Sequence, residues 1–566
     1  MWSFEDSDAN TVVTAAGTRA HRDHVAQSDV LARNFYTVRP GVWNFVGNGL
    51  SNQSFIDAPD GIIAIDTGES IEEMAEALRE LRAHTSRPIA AVIYTHFHYI
   101  EGTKAILDEG NHVTPLPVYG HPKIAHNRVR TTTEIAPAYV RGLVEQFAIF
   151  MPLEGPDANV NIGLGFHFRN PTHAPFTPGH LPCTRTFLDG ERLSVAGLDI
   201  SVTFAPSDAD DSVTLSIPSL DLVVHNVIWP TLFNVFAIRG EEYRDPQVLL
   251  GAVDHILGLS PTYLVGTHGP PLTGREENRD RIRRYRDSLS FLWDQTVRGI
   301  NKGWTTDELA ERVRLPELFN IDYLTSERYG VAEHHVRQIH NGLRGWFDGD
   351  EAKLFPSAVN ERHRRLIDEL GGRDTVRAKV QCSLEEDDVR WATELATWLV
   401  RSDESTEEDR ALLARCLRTI AERTPSANIR NWCITRARHL DGSSPMDVMY
   451  HHRFNARATG SLTNQELLAT MRVLVDPQRA LGMDFAAAFH VDDEKYIVHL
   501  RNCVSVLDLD ADVNATITTS RDTLNQIFSN KKPLTMALSD GSLTIAGDRD
   551  GAIQMLHVYE IDGLRA

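Results

Sequence analysis

Five short apolar runs in the first half of the chain each end in a residue that can bind a cation or carry a proton: GIIAIDTG (61–68), IAAVIYTHFH (89–98), VTFAPSDADDSV (202–213), LDLVVHN (220–226) and YLVGTHG (263–269). Runs of this length and composition read as buried strands, and the helical stretch SIEEMAEALRELRAHT (70–85) between the first two makes the pattern alternate. From about Asn34 to Gly274 the chain therefore predicts an α/β layered domain. His96 and His98 close the second run, where side chains at i and i+2 can converge on one ion in an extended or turning backbone. Two histidines at a strand end are equally well explained as hydrogen-bonded surface residues. The context adds Asp66, the acidic loop with Asp208, His225 and His268 at four further strand exits.

The rest of the chain changes texture twice. Residues 162–182, rich in Gly, Pro, His and Phe without a period, read as a long loop near a site. After Gly274 the sequence becomes helical, with a capping box from Thr305 to Glu308, and reads as all-α to about His439. From Ser444 it becomes α+β: a second capping box at Thr463 and Glu466, the strands MDFAAAFHV and EKYIVHLRNCVSVLDL, the helix DTLNQIFSN and a hairpin-like ALSDGSLTIAGDRD (537–550). At 566 residues the chain has room for three or four folded units. Its formal charge of −21 repels phosphate backbones and argues against nucleic-acid binding. Five scattered cysteines, none spaced CxxC, indicate neither a disulfide framework nor a zinc knuckle. No secretory leader and no apolar stretch of membrane-spanning length is visible, so a soluble cytoplasmic protein is expected.

The order strand-Asp-Thr-Gly, strand-His-x-His, strand-Ala-Pro-x-Asp, strand-His-Asn and strand-Thr-His-Gly resembles the metallo-β-lactamase superfamily. LFNVFAIRGEEYRDPQ (232–247), HNGLRGWFDGDEAKLFP (340–356), RDTVRAKV and NIRNWCITRARHL (428–440) narrow the resemblance to its alkylsulfatase branch. That resemblance implies an N-terminal extension (1–33), an αββα sandwich (34–275), an all-α dimerisation domain (276–440) and an α+β domain similar to sterol carrier protein (444–566). It also implies a homodimer and one or two divalent ions, with zinc first and iron or manganese as alternatives.

Carried over by position, the family's first-metal ligands fall on His96, His98 and Asp208, with Asp211 as fallback. The second site departs from the pattern. Ile100 and Glu101 stand where the family has Asp and His, and His225 stands at the bridging carboxylate, while His268 is retained. Ile100 cannot bind a metal, and a neutral imidazole offers one lone pair, so it cannot bridge two ions as a carboxylate does. Glu101, His225 and His268 could instead form a second two-histidine, one-carboxylate set, or could be supporting hydrogen-bonding residues around the first. Asp66 is assigned such a supporting role.

Arg239 falls on the family's sulfate-binding arginine and Asn234 on a neighbouring polar position, which favours a small-molecule substrate with an oxyanion group. A salt bridge from Arg239 to Glu241, Glu242 or Asp245 is the plainer alternative. The loop 226–234 lacks the family's proton-donating histidine, and His167, His173 and His180 are the remaining candidates. Three functions are in contention: a metal-dependent hydrolase of an anionic ester with an apolar tail, a mono- or di-iron oxygen-dependent oxidoreductase on the same fold, and a degenerate lipid-binding scaffold.

Overall fold

The computed structural model of the chain describes residues 3–130, 134–450, 459 and 462–565. Residues 451–458, near the start of the expected C-terminal domain, lie outside the described residues.

A short hairpin, β1 (Thr11–Val13) and β2 (Arg19–His21), opens the chain and leads into the helix Arg22–Val30. Two sheets then follow in strict chain order. The first contains β3 (Asn34–Arg39), β4 (Val42–Val46), β5 (Gln53–Ala58), β6 (Gly61–Ile65), β7 (Ile89–Ile93), β8 (Val118–Gly120) and β9 (Arg185–Thr186). The second contains β10 (Arg192–Val195), β11 (Leu198–Phe204), β12 (Val213–Ile217), β13 (Leu222–His225), β14 (Tyr263–Gly266) and β15 (Leu272–Thr273).

Alternation along each strand sorts the side chains into layers. Ile63, Ile65, Ile93, Val202, Leu215, Val224 and Val265 meet in one core between the sheets. Ile62, Ala64 and Val92 face the other way, onto Met74, Leu78 and Leu81 of the helix Ile71–Arg82. Val223 and Leu264 likewise turn outward, to Leu249, Val253 and Ile256 of the helix Pro246–Leu259. The result is the expected αββα sandwich.

Parallel register positions the site. β6 and β7 pair with Ile65 opposite Ile93, and β13 and β14 pair with His225 opposite Gly266. Residues that follow these positions therefore leave the sheets side by side: Asp66 beside Thr95, and Asn226 beside Thr267.

The outward core of the second sheet is continuous with that of the helices running to Leu440, so the sandwich and helical region share one apolar interior. By compactness the chain divides into a unit of residues 1–125 and 142–445 and a unit of residues 126–141 and 446–566. The N-terminal extension packs on the helices of the first unit, with Arg19 bonded to Glu422 at 3.0 Å and Thr424 to the Ser3 carbonyl at 2.9 Å. The expected capping box at Thr305 and Glu308 is formed, and Thr406 with Asp409 forms another.

The second unit holds a five-stranded sheet in the order β18 (Val504–Leu507), β17 (Glu494–Arg501), β16 (Asp484–Val491), β19 (Ala515–Thr519) and β20 (Leu543–Gly547). Its own core gathers Phe489, Val498, Ile517, Leu524, Phe528 and Met555. The stretch 537–550 is not a hairpin. It is the end of the helix Leu534–Ser539, a turn and the single strand β20, which pairs with β19, and the next helix starts at Arg549. Among the described residues no helix is long and apolar enough to cross a membrane.

Candidate metal centre

β7 ends at Ile93, and His96 continues extended (φ −168°, ψ 178°) before Phe97–Tyr99 turn into a short 3₁₀ segment. This change of direction brings the imidazoles of His96 and His98 together, with ring centres 5.0 Å apart and planes at 89°. Asp208 arrives from the loop between β11 and β12. Its Oδ2 lies 3.1 Å from His98 Nδ1 and 3.6 Å from His96 Nε2. These three residues are the one group of three or more potential ligands, among the described residues, whose donor atoms all lie within 4.8 Å of each other.

The surroundings fix the ring orientations. Asp66 stands immediately after β6 in the left-handed region (φ 55°) and accepts hydrogen bonds from the Thr95 amide at 2.8 Å and the Thr95 hydroxyl at 2.7 Å. With its proton committed to Asp66, the Thr95 oxygen is left to accept from His96 Nδ1, 2.9 Å away. That assigns the Nδ1–H tautomer and aims the lone pair of His96 Nε2 at Asp208. His96 Nε2 is buried and has no hydrogen-bond partner in the structure, so a cation there would complete an otherwise unsatisfied atom. Asn226, following β13, donates to Asp208 Oδ1 at 2.6 Å and to Ser212 Oγ at 3.2 Å.

The electrostatics favour the ligand forms a metal needs. Burial pushes His96 down to about 3, so its ring is neutral. Burial opposes ionisation of Asp208, but the neighbouring imidazoles, through the His98 hydrogen bond in particular, and the Arg244 guanidinium outweigh it and hold the carboxyl well below the usual carboxylate range. Asp66, also buried, is pushed up to about 7 in spite of its bonds to Thr95. The donor set and its charge state fit a divalent cation.

The expected second set does not assemble. His225 Nδ1 accepts the backbone N–H groups of Val227 at 3.2 Å and Ile228 at 3.3 Å, so its only lone pair serves its own turn. His268 donates from Nδ1 to the Leu50 carbonyl at 3.0 Å, and its Nε2 faces the Tyr99 hydroxyl at 3.4 Å. Glu101 is tied by its backbone to Gly68 and Gly179 and joins no ligand group among the described residues. Asp211 is fully buried but is not part of the cluster, which leaves Asp208 as the carboxylate. His173 spends Nε2 on the backbone and side-chain oxygens of Asn48, and the ring of His180 lies 6.4 Å from that of Tyr94.

Arg239 does reach the centre. Its Nη2 lies 3.5 Å from His98 Nε2, and its Nη1 pairs with Glu241 at 2.5 Å, with both side chains buried. Arg239 thus adjoins His98 and is ion-paired with Glu241. Asn234 is buried, with its Oδ1 3.3 Å from His335 Nε2 and its Nδ2 without a partner.

Three supporting residues carry no signal that sequence reading can use. Arg244 donates to the carbonyls of Asn234 at 2.6 Å and Asp208 at 3.3 Å while lying over the rings of Trp229 and Phe233. Gln146 accepts the Arg239 amide at 3.1 Å and donates to the Tyr329 hydroxyl at 2.7 Å. His335 comes from the helix Ala332–Arg344, far along the chain.

Known proteins resemble this chain over nearly its whole length. Residues 305–443 match the alkyl sulfatase dimerisation family and residues 454–560 the alkyl sulfatase C-terminal family. A linear primary-alkylsulfatase of Pseudomonas sp. is 31% identical over 510 residues, covering 87% of this chain and 96% of the relative. An (R)-specific secondary-alkylsulfatase of Pseudomonas sp. is 26% identical over 93% of this chain and 80% of the relative. The alkyl/aryl-sulfatase BDS1 of Saccharomyces cerevisiae is 24% identical over 98% and 86%. Among solved structures, the stereoselective inverting sec-alkylsulfatase Pisa1 from Pseudomonas sp. aligns with a TM-score of 0.81 at 23% identity, covering 97% of this chain and 91% of that one. That match concerns the fold. The chain belongs to the alkylsulfatase family of hydrolases.

Proposed function

We propose that this protein hydrolyses the sulfate ester of an alcohol with an apolar tail, using one divalent ion, with zinc first and manganese or iron as alternatives. The observation that carries the reading is the convergence of His96 Nε2, His98 Nδ1 and Asp208 Oδ2 with a buried guanidinium 3.5 Å from His98. Those three residues would hold the ion, which when bound supplies a Lewis acid and an acidified water at neutral pH.

The other residues bind and orient. Asp66 and Thr95 keep the His96 ring in its ligating tautomer, and Asn226 holds the second oxygen of Asp208. Arg239 recognises the oxyanion with a planar pair of N–H donors, and Asn234 Nδ2 adds an uncommitted donor. In this reading residues 34–275 are the catalytic domain, residues 276–440 mediate a homodimer and residues 444–566 are a sterol-carrier-like module. Matches to the family's dimerisation and C-terminal regions support that division, as does the exposure of Trp346 (66%) and Phe355 (92%) within the former.

The test is release of free sulfate from octyl sulfate by purified, metal-loaded protein, beside elemental analysis of the same sample. Sulfate release with one ion per chain is expected; no release with zinc, manganese or iron at any pH overturns the reading. One observation favours a second reading: two histidines and one carboxylate are also the ligand set of non-haem Fe(II) oxygenases. Stoichiometric iron after anaerobic expression, with oxygen uptake and no sulfate release, would select it.

A further inference from the structure

The guanidinium placed to receive the substrate oxyanion already has an anion against it. Glu241 Oε2 lies 2.5 Å from Arg239 Nη1 and 3.8 Å from His98 Nε2, and the two paired side chains are 6% and 4% exposed. Paired at hydrogen-bonding distance with a guanidinium that cannot give up its proton, the buried Glu241 carboxylate is a fixed negative charge inside the site. A plain oxyanion pocket would present the arginine alone. Here the charge of Arg239 is offset before any ligand arrives, and in so buried a pair charges act on one another more strongly than in bulk water.

A sulfate monoester carries one negative charge at neutral pH. The inorganic sulfate it leaves behind carries two, and so does an alkyl phosphate above its second pKa of about 6. All three present tetrahedral oxygens of similar size to Arg239. Hydrogen bonding alone therefore separates them poorly, whereas a buried carboxylate beside the binding group separates them by charge.

We propose that Glu241 is a specificity-determining residue that makes the site accept singly charged sulfate esters and reject doubly charged oxyanions, including the product sulfate. This rests on the alkyl sulfate reading for the substrate, but its physical content is a ratio of oxyanion affinities. Expulsion of product follows from the same charge: hydrolysis converts a tolerated monoanion into a dianion that the carboxylate repels.

The experiment measures binding of inorganic sulfate, octyl phosphate and octyl sulfate to the metal-loaded, full-length protein by calorimetry, with product inhibition of octyl sulfate turnover as a second readout. Glu241→Gln keeps the shape and a hydrogen-bonding group while removing the charge. It is expected to tighten binding of both dianions by at least about tenfold relative to octyl sulfate, and to deepen inhibition by sulfate in step. Glu241→Asp, which keeps the charge, should hold the wild-type ratio. Glu241→Ala gives the same comparison should the Gln variant melt early. Equal weakening of all three ligands in the charge-free variants would overturn the proposal and make Glu241 a mere support for Arg239, as would an unchanged ratio. Because calorimetry does not depend on turnover, failure to hydrolyse octyl sulfate would count against the substrate reading while the ratio still decides the role of Glu241.

Discussion

Two sets of side chains stand at the same sheet edges and are equally eligible, by residue type, to bind metal. His96, His98 and Asp208 aim unsatisfied or mutually close donor atoms at one point, whereas Glu101, His225 and His268 do not gather. What separates His96 from His225 is where each lone pair is spent. His96 gives its Nδ1 proton to Thr95 and keeps Nε2 for the centre, while His225 gives its lone pair to the N–H groups of the turn that follows it. Ligand-type residues at ligand-type positions are thus necessary and not sufficient. A histidine is a ligand only when its partner takes the proton and leaves the lone pair.

The sharpest way to break this comparison is to remove one member of the first set. His96→Ala, His98→Ala and Asp208→Ala are each expected to lower metal content from one ion per chain to near none, with at least about a hundredfold loss of sulfate release. Metal analysis and activity on the same preparations check it. If ions remain at full occupancy after His96→Ala, the centre lies elsewhere. Next in size are the residues that hold the ligands. Thr95→Val cuts the link from Asp66 to His96, and Asn226→Ala releases Asp208 Oδ1. Each is expected to weaken metal affinity by roughly 10- to 100-fold without abolishing it, as read by competition with a chelator.

The fold is largely legible in the sequence because its information is local and periodic. The strands Gly61–Ile65 and Ile89–Ile93, the helix Ile71–Arg82 and the capping boxes at Thr305 and Thr463 declare themselves in a few consecutive residues. The stretch 537–550 misleads because Ser-Asp-Gly after an apolar run signals a hairpin turn, whereas here it joins a helix to a strand whose partner is β19, further back in the chain. The first candidate set is legible for the same reason as the strands: HxH at a strand exit is a local pattern. The fate of His225 is not, because the backbone amides that consume its lone pair are a matter of turn geometry. Arg244, Gln146 and His335 are also invisible, since each acts through contacts between distant segments.

For the second set the expectation is a stability effect without a metal effect. His225→Ala leaves two buried amides unsatisfied, at a cost of about 2 kcal/mol, while metal stoichiometry stays at one; Asn, whose side-chain oxygen can replace Nδ1, should restore most of it. Burial pushes His225 down to about 3, so between roughly pH 3 and 6.5 the unfolded chain binds a proton there that the folded chain does not. Its neutral burial therefore costs nothing above about pH 6.5, and stability falls as pH drops below that value, levelling near pH 3. His225→Asn should flatten this part of the acid-unfolding curve of the metal-free protein, measured by circular dichroism. An unchanged acid limb would show that other groups set it.

The smallest effect concerns the atom that His268 faces. Tyr99→Phe removes the hydroxyl 3.4 Å from His268 Nε2 and little else, since the ring itself remains packed edge-on against His96, His98 and His268. At that distance the bond is weak, and its loss should cost no more than about 1 kcal/mol in thermal stability. Its value is diagnostic. With the hydroxyl gone, His268 presents an uncommitted Nε2 lone pair, because its Nδ1 proton stays on the Leu50 carbonyl. If one lone pair were all that the second position lacked, the variant would bind an additional ion in the presence of excess zinc. We expect it to remain at one ion per chain, because the lone pair of His225 is still engaged by its turn and Ile100 still offers no donor. A second stoichiometric ion in Tyr99→Phe would show that this tyrosine alone keeps the centre mononuclear.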